Sequence, residues 1–552
     1  MSALNLPTLV GTSAILGIAF HISIVGLEFE RYMFQFLFTT LFTYLSLVFA
    51  FLSANQTLGL ALVQASLVLV SFNVSVLFSI TVYRLFLHRC SVIPGPLLAK
   101  LTRFYATYLN AKGYRYHKEL GELHKQHGDF LRIGPRDISI LDKRAIPLIY
   151  GPNSECRKST WYSQSSNDSS KVSINMTRDQ KSYRLRRRAW DRGFSMKALT
   201  SYQPRIKAKT DMLVEKIREL NGKQIDMTKW SMLFGFDVMG EVGFGKDFGS
   251  LTSGQEHPAI KAIHEHIAVL GVFQTVPWLM NLLGSIPGAA ASFAEFFGMC
   301  EKEMVEKEKT WNSRTDPQDL ASWLIKAVRE KDVTASPTKE SLADDSRVII
   351  IAGSDTTANT LANILFYLAT NPSVQTKLQA RLDAIFPSGS SSWNYEKVKT
   401  VTDIDDIINE TLRLKPPVIQ GGPRETPPQG IHVGDMHIPG NVNVSVPYIL
   451  IQREPRWWEE AENFVPERWD ERSAEMGTAE APFLPFQLGL HSCIGKNLAF
   501  LSLRTAISLL VMEFDIELAE GESGEEFDKG FDDVFLMTLK PLRLKLTARL
   551  GE

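Results

Sequence analysis

PFLPFQLGLHSCIGKNLAFLSLRTAISLL, residues 482–510, sets one cysteine between a glycine-bearing loop and a strongly apolar helical pattern. Cys493 stands just ahead of that helix, where backbone amides and the macrodipole stabilise a thiolate. A thiolate there can attack an electrophile, or it can hold a metal whose other ligands come from a cofactor. Nucleophilic use wants a nearby base, and no Cys-His constellation is readable, since His491 is only two residues away. A buried inert cysteine is the third reading.

Outward from this segment, helical periodicity marks about 204–218, 258–272, 341–370, 372–385, 403–415 and 495–512. LRIGP at 131–135 and ISILD at 138–142 read as a hairpin, and 431–446 as several short strands parted by glycine turns. Strands cluster instead of alternating with helices. That excludes a doubly wound parallel sheet and predicts a mainly α domain with a small β region. Polar stretches at 163–175, 388–392 and 519–530 read as surface loops.

The first 90 residues differ in kind. Between Tyr32 and Tyr83 there is no Asp, Glu, Lys or Arg, room for two membrane spans with Asn55 and Gln56 at the turn. A further apolar stretch, about Leu4 to Leu27, ends at Glu28, Glu30 and Arg31. An interfacial hairpin with one true span is the alternative. No basic n-region or cleavage site marks a removable signal. Arg84, His88 and Arg89 follow the last span and place it cytoplasmic side out, which with three spans puts the N-terminus in the lumen. SVIPGPLLAK, 91–100, then forms a proline elbow. The division expected is 1–90 membrane anchor, 91–100 linker and 101–552 catalytic domain.

Sixty basic residues against sixty-one acidic ones argue against nucleic-acid binding. Four cysteines, Cys90, Cys156, Cys300 and Cys493, are too sparse for a disulfide scaffold and fit free thiols in a reducing compartment. The sequons at Asn73, Asn167, Asn175 and Asn443 should go unused in membrane-buried or cytosolic chain.

Phe486, Gly489, Cys493 and Gly495, followed by Ala499, resemble the haem-binding loop of cytochrome P450 monooxygenases, and the resemblance runs over nearly the whole chain beyond residue 90. It implies haem b with Cys493 as axial thiolate ligand of the iron, Phe486 packed near it, and glycines letting the backbone approach sulfur and porphyrin. Where the family usually carries a propionate-binding arginine, this chain has His491, so that contact depends on the imidazole's protonation. AGSDTT, 352–357, resembles the kinked central helix over the distal haem face. It implies that Gly353 permits close approach and that Asp355 and Thr356 relay protons.

Two further matches are supportive. ETLR at 410–413 puts Glu410 and Arg413 on one helix face, and FVPERW at 464–469 resembles the segment whose arginine, Arg468, completes a buried Glu-Arg-Arg network. The arginine-rich segment SYRLRRRAWDRGFS, 182–195, resembles the helix beside the haem propionates. There Arg187 takes the arginine position, Tyr183 replaces an aromatic or imidazole donor, and other arginines form a basic face for an acidic electron-transfer partner. Arg424 in GGPRETP matches another propionate arginine, while Arg184 and Arg192 fit simple solvation.

The resemblance implies a membrane-anchored P450 of the fungal type at the endoplasmic reticulum, its catalytic domain facing the cytoplasm. NADPH-cytochrome P450 reductase supplies electrons, with cytochrome b5 as a second donor. The resemblance further implies that one atom of dioxygen enters a lipophilic small molecule of fungal secondary metabolism and the other leaves as water. The alternatives are a reductase-independent P450 that rearranges or dehydrates an oxygenated substrate, and a non-catalytic membrane-bound haem sensor or carrier.

Overall fold

Three apolar helices, α1 (Leu6–Ile24), α2 (Met33–Ser53) and α3 (Leu58–Val82), open the chain in the computed structural model, which describes residues 5–549 except 165, 167, 289 and 290. All three are long and apolar enough to cross a membrane. Asn55, with φ of 62°, makes the left-handed turn between α2 and α3. α1 lies against α3 so closely that a Cβ on Gly17 would meet the Phe72 carbonyl oxygen at 2.6 Å. Ser13 donates to the Val68 carbonyl and Ser71 to the Val10 carbonyl across the same seam.

The three-helix segment is fastened to the rest of the chain at both of its near ends. Arg178 pairs with Glu28 of the α1–α2 loop at 2.7 Å, and Arg84, just past α3, donates to the Leu101 carbonyl at 2.5 Å. The α1–α2 loop and the end of α3 therefore lie on the side of the catalytic domain, and the start of α1 and the Asn55 turn on the other. The elbow is not a free spacer. Arg132 N–H donates to Pro94 O at 2.7 Å, a Cβ on Gly95 would meet Arg132 O at 2.4 Å, and Cys90 and Ile93 are wholly buried in one cluster with Ile138 and Val444. The expected linker also ends early, because Pro96 caps a short helix, Leu97–Leu101. Cys90, Ile93 and Pro94 thus pack against β-strand residues of the following chain.

The hairpin forms as read, β1 (Phe130–Gly134) antiparallel to β2 (Asp137–Ile140). β2 runs parallel to Asn443–Ser445, and the sheet continues through Arg424–Glu425 to Arg157–Lys158. Its registers set Asp137 beside Asn443 and Lys158 beside Arg424, so two distant segments of the chain deliver polar side chains to one edge of the interior. Short strands also occupy Ile431–Val433 and Met436–Ile438.

The long helices agree with the periodic segments. Lys339–Thr370 crosses the domain and packs on Met227–Phe244 and Ala291–Thr310. Helix Met196–Glu219 starts ahead of the expected Pro204 because Ser195 caps it, its hydroxyl accepting from Ala198 N–H. Met227–Phe244 carries no readable period because nearly every residue from Leu233 on is buried. Asn443 is buried in the sheet, Asn73 bonds its own helix at Leu69 O, and Asn167 lies outside the described residues.

Helix Thr402–Leu414 carries a strained acidic group. Burial, then Asp470, Asp403 and Asp405, push the Asp406 carboxyl up to about 7. The folded chain therefore holds a proton that the unfolded chain has lost between about pH 4 and 7, so Asp406 destabilises increasingly as pH rises through that window and fully above it. That displacement sets a ceiling of about 4 kcal/mol, and solvent screening at this half-buried site reduces it to about 1–2 kcal/mol. Asp406→Asn should raise the thermal midpoint near pH 8 and leave it unchanged near pH 4. Equal midpoints at the higher pH would rule out the destabilisation.

Candidate functional site: a cationic cavity over a cysteine loop

The loop before helix Lys496–Glu513 is held by its own backbone. Cys493 N–H donates to Phe486 O at 2.7 Å and Ser492 N–H to Gly489 O at 3.1 Å. Gly489 sits at φ of 60°, and a Cβ there would meet the carbonyl oxygens of Tyr150 and Gly151 at 2.6 and 2.7 Å, so only glycine fits. Phe486 packs on Phe500 at 5.8 Å between ring centroids. At Gly495 a Cβ would lie 3.9 Å from Cys493 Sγ, leaving the space beside the sulfur open. Of the four cysteines, all free, Cys90, Cys156 and Cys300 are buried and only Cys493 is exposed. That exposure is to an internal cavity. Burial raises the Cys493 thiol, while the amides of Gly495 and Lys496 and the charge of Arg187 favour the thiolate.

The cavity, about 390 Å³, brings Lys158, Tyr183, Arg187, Arg424, His491 and Cys493 to one wall. Arg187 donates to Ser492 O at 2.9 Å and to Tyr183 Oη at 3.3 Å. Arg424 stacks on Tyr150 and donates to Gln487 Oε1 at 2.6 Å. His491 packs its ring on Tyr183 at 4.4 Å, yet both its nitrogens are buried without a hydrogen-bond partner. Burial, then Arg424, Lys158, Arg187 and Arg184, drive its pKa down to about 2, so the protein alone holds it neutral. Lys158 donates to the Ile174 and Asn175 carbonyls and is likewise pushed well below its ordinary value, by burial and by Arg424, Arg186 and Arg187. A wall that crowds cations beside an orphaned imidazole and an open sulfur fits an anionic prosthetic group, and the two propionates and metal of haem match that donor set.

Lys158 was not legible in advance. It reaches the wall because its strand pairs with Arg424, 266 positions later in the chain.

The arginine-rich helix divides differently from the expectation. Arg184 and Arg188 are exposed and available to a basic face. Arg192 pairs with Asp332 at 3.0 Å. Arg186 is not on that face, being buried against Asp345 at 2.8 Å and bonded to the Val172 carbonyl.

On the central helix, Gly353 lies against a neighbouring helix. A Cβ there would strike Met239 Sδ at 2.3 Å, so the glycine serves packing against Met227–Phe244, and the helix is unbroken from Lys339 to Thr370. The lining of the cavity includes Val348 of this helix but not Gly353, Asp355 or Thr356. Thr356 donates its hydroxyl to Ala352 O at 2.7 Å, and Asp355 accepts from Ser354 Oγ at 3.1 Å. Burial raises the Asp355 carboxyl, and His264 of helix Pro258–Phe273 opposes that rise. His264 in turn bonds Glu256 at 3.2 Å. Burial works against the imidazolium, but Glu256 and Asp355 lift the His264 pKa above its ordinary value. Neither Glu256 nor His264 carries a motif.

Behind the loop, Glu410, Arg413 and Arg468 are wholly buried. Glu410 takes two bonds from Arg413, at 2.8 and 2.9 Å, and one each from Arg468 Nε at 3.0 Å, Val465 N–H at 2.9 Å and Trp469 Nε1 at 3.1 Å. Gln452 connects this network to the cysteine loop, donating to the Leu412 and Arg413 carbonyls and accepting from Leu484 N–H at 2.7 Å.

Comparison with known proteins agrees with this arrangement. The family profile of cytochrome P450 matches residues 100–546. Cytochrome P450 monooxygenase orf5 of Eupenicillium brefeldianum is 38% identical over 90% of this chain and 99% of its own. Cytochrome P450 monooxygenase FCK2 of Fusarium pseudograminearum is 31% identical over 97% of each, and tryprostatin B 6-hydroxylase of Aspergillus fumigatus is 32% identical over 88% of this chain and 86% of its own. The crystal structure of the cytochrome P450DA heme domain superposes with a TM-score of 0.67 over 80% of this chain and 95% of that one, at 17% identity. The chain belongs to the cytochrome P450 family. It is a haem-thiolate monooxygenase similar to fungal enzymes, and the family implies haem b and electron supply from an NADPH-dependent reductase.

Proposed function

We propose that Cys493 is the axial ligand of the haem iron and that the enzyme oxidises an uncharged lipophilic molecule in fungal secondary metabolism. The carrying observation is the single cavity-facing cysteine beside Lys158, Arg187, Arg424 and His491 in the lining of one cavity. Haem, when bound, supplies reductive activation of dioxygen and transfer of one oxygen atom to the substrate. The chain's own groups do the rest. Arg187, Arg424 and Lys158 would hold the propionates, and His491 would offer them an imidazole whose pKa a nearby anion would raise. Glu410, Arg413, Arg468 and Gln452 fix the loop. Asp355, whose carboxyl burial raises, would hold a proton and with the Thr356 hydroxyl pass it on, with His264 and Glu256 behind it. The hydroxylase named among the relatives acts on tryprostatin B.

In reconstituted vesicles with reductase, product should form with NADPH and dioxygen consumed together. Thr356→Ala should keep the haem spectrum and lose coupling, with more NADPH spent per product and more peroxide released. Asp355→Asn should slow turnover. Wild-type turnover and coupling in both variants would remove these residues from proton delivery.

The catalytic domain is assigned to the cytoplasmic face of the endoplasmic reticulum, because Arg84 and Arg89 follow α3. A tag after residue 552 should be cleaved by protease in sealed microsomes. Protection until detergent is added would reverse the orientation.

A further inference from the structure

Near the C-terminus a short hairpin, Asp532–Val534 paired with Leu536–Thr538, turns back on one residue, Phe535, at φ of 81°. A bulky side chain in that left-handed region is strained, and such strain persists where the surrounding fold holds the residue in place. Phe535 lies flat on Trp161, the ring centroids 5.7 Å apart and the planes 7° from parallel, and both rings line the cavity of Cys493. Trp161 is itself fixed, its Nε1 donating to Gln274 O at 2.6 Å. The hairpin is clamped from three directions. Met537 N–H donates to Pro417 O at 2.9 Å, Asn359 of the central helix donates to Met537 O at 2.6 Å, and a Cβ on Gly271 would meet Val534 Cγ1 at 2.3 Å.

Asp533 of this hairpin is wholly buried and takes the amide ends of two cavity-lining glutamines. Gln420 Nε2 donates to its Oδ2, and Gln274 Nε2 donates to its backbone O at 3.3 Å. A carboxylate oxygen and a peptide carbonyl only accept, so the partner fixes which end of each amide is nitrogen. What remains is Oε1 of Gln274 and Oε1 of Gln420, and neither accepts a hydrogen bond among the described residues. Asn443 and Thr275, which line the same cavity, differ in being taken up within the protein: Asn443 bonds Asp137 and Thr160, and Thr275 bonds Thr107 at 2.6 Å. His117, stacked on Phe531, approaches Asp533 Oδ2 only to 3.8 Å, so the Gln420 amide keeps that oxygen. Two acceptors left open beside an aromatic surface select for a donor.

We propose that Trp161, Phe535, Gln274 and Gln420 form a recognition shelf of the substrate cavity. The substrate is a flat, ring-bearing, uncharged molecule that presents an N–H or O–H donor to the two Oε1 atoms, and Asp533 is the positioning residue that turns them toward it. This names a substrate class for the haem-site reading proposed above and rests on that reading. An analogue without the donor leaves both oxygens desolvated and unpaired, which disfavours its binding.

The test uses the full-length, haem-loaded protein in detergent with two planar tricyclic probes of nearly one shape, carbazole, which carries an N–H, and fluorene, which carries CH2 in its place. Binding is read from quenching of probe fluorescence by the haem. Gln274→Leu and Gln420→Leu should each lower the carbazole-to-fluorene affinity ratio, and together by about tenfold, with the fluorene affinity kept. Asp533→Leu releases the Gln420 amide and should lower the same ratio, a selective loss that a merely structural role would not give. The reduced carbon-monoxide spectrum reports that each variant keeps its site, and Gln274→Leu alone carries the test if the variants at 420 and 533 lose haem. An unchanged ratio, with the two oxygens merely hydrated, would overturn the shelf, as would failure of both probes to bind a wild-type chain of normal carbon-monoxide spectrum. A wild-type chain without that spectrum would instead strike the haem-site reading.

Discussion

Glu410→Ala is expected to yield a chain that loads little haem and melts well below the wild type. Removing the carboxylate leaves Arg413 and Arg468 wholly buried with no counter-charge, and it strips the acceptor from Val465 N–H and Trp469 Nε1. Breaking a buried pair from one side costs about 3–5 kcal/mol, a large part of the roughly 5–15 kcal/mol that keeps a domain folded. The guanidiniums would not be without partners altogether. Arg413 keeps the carbonyls of Gln452, Ala461 and Asn463, Arg468 keeps those of Glu459 and Glu460, and both face the Trp458 ring. Glu410→Gln, which retains an acceptor but not the charge, should therefore fall between the two. Haem content per chain and the thermal midpoint, measured on detergent-purified protein, check this. Wild-type values for both in Glu410→Ala would make the network dispensable.

The effect should reach the cysteine loop by a traceable route. Leu412 and Arg413 present their carbonyls to Gln452, whose Oε1 holds Leu484 N–H, two residues ahead of Phe486. Phe486 O in turn holds Cys493 N–H. Trp469, bonded to Glu410, packs on Phe483 at 4.5 Å. A helix carrying no chemistry thus sets the position of the sulfur.

The range of each interaction decides whether it can be read from the chain. Helices with one apolar stripe, such as Thr402–Leu414, and the hairpin at 130–140 declare themselves through local period and turn residues. The loop glycine at 489 was legible because its role is local to a tight turn, though its contact with Tyr150 O is not. Lys158, Gln452 and His264 escaped because each acts on groups distant in sequence, and nothing beside them in the chain marks the partner. Gly353 shows the same limit. A glycine in a helix announces close approach without saying to what, and here the neighbour is Met239. Arg186 and Arg187 are adjacent in one basic run, yet helical geometry buries the first against Asp345 and turns the second to the cavity.

Cys493→Ala should abolish monooxygenation and the red-shifted Soret band that thiolate ligation gives the reduced carbon-monoxide complex, while leaving the polypeptide fold intact. The expectation differs from that for Glu410 on physical grounds. The loop is held by the Cys493 backbone N–H and by Gly489, neither of which the substitution touches, and the side chain removed faces a cavity and is not packed in the core. The loss of apo-protein stability should stay within about 1 kcal/mol, so circular dichroism and the apo thermal midpoint should match the wild type. Haem that still binds would be held through Arg187, Arg424, Lys158 and His491, and its spectrum would lack the thiolate signature. Cys493→Ser, which returns an oxygen donor of similar size, should not restore that signature. A normal carbon-monoxide band in Cys493→Ala would place the ligand elsewhere, and the buried, raised thiols of Cys90, Cys156 and Cys300 offer no substitute facing this cavity.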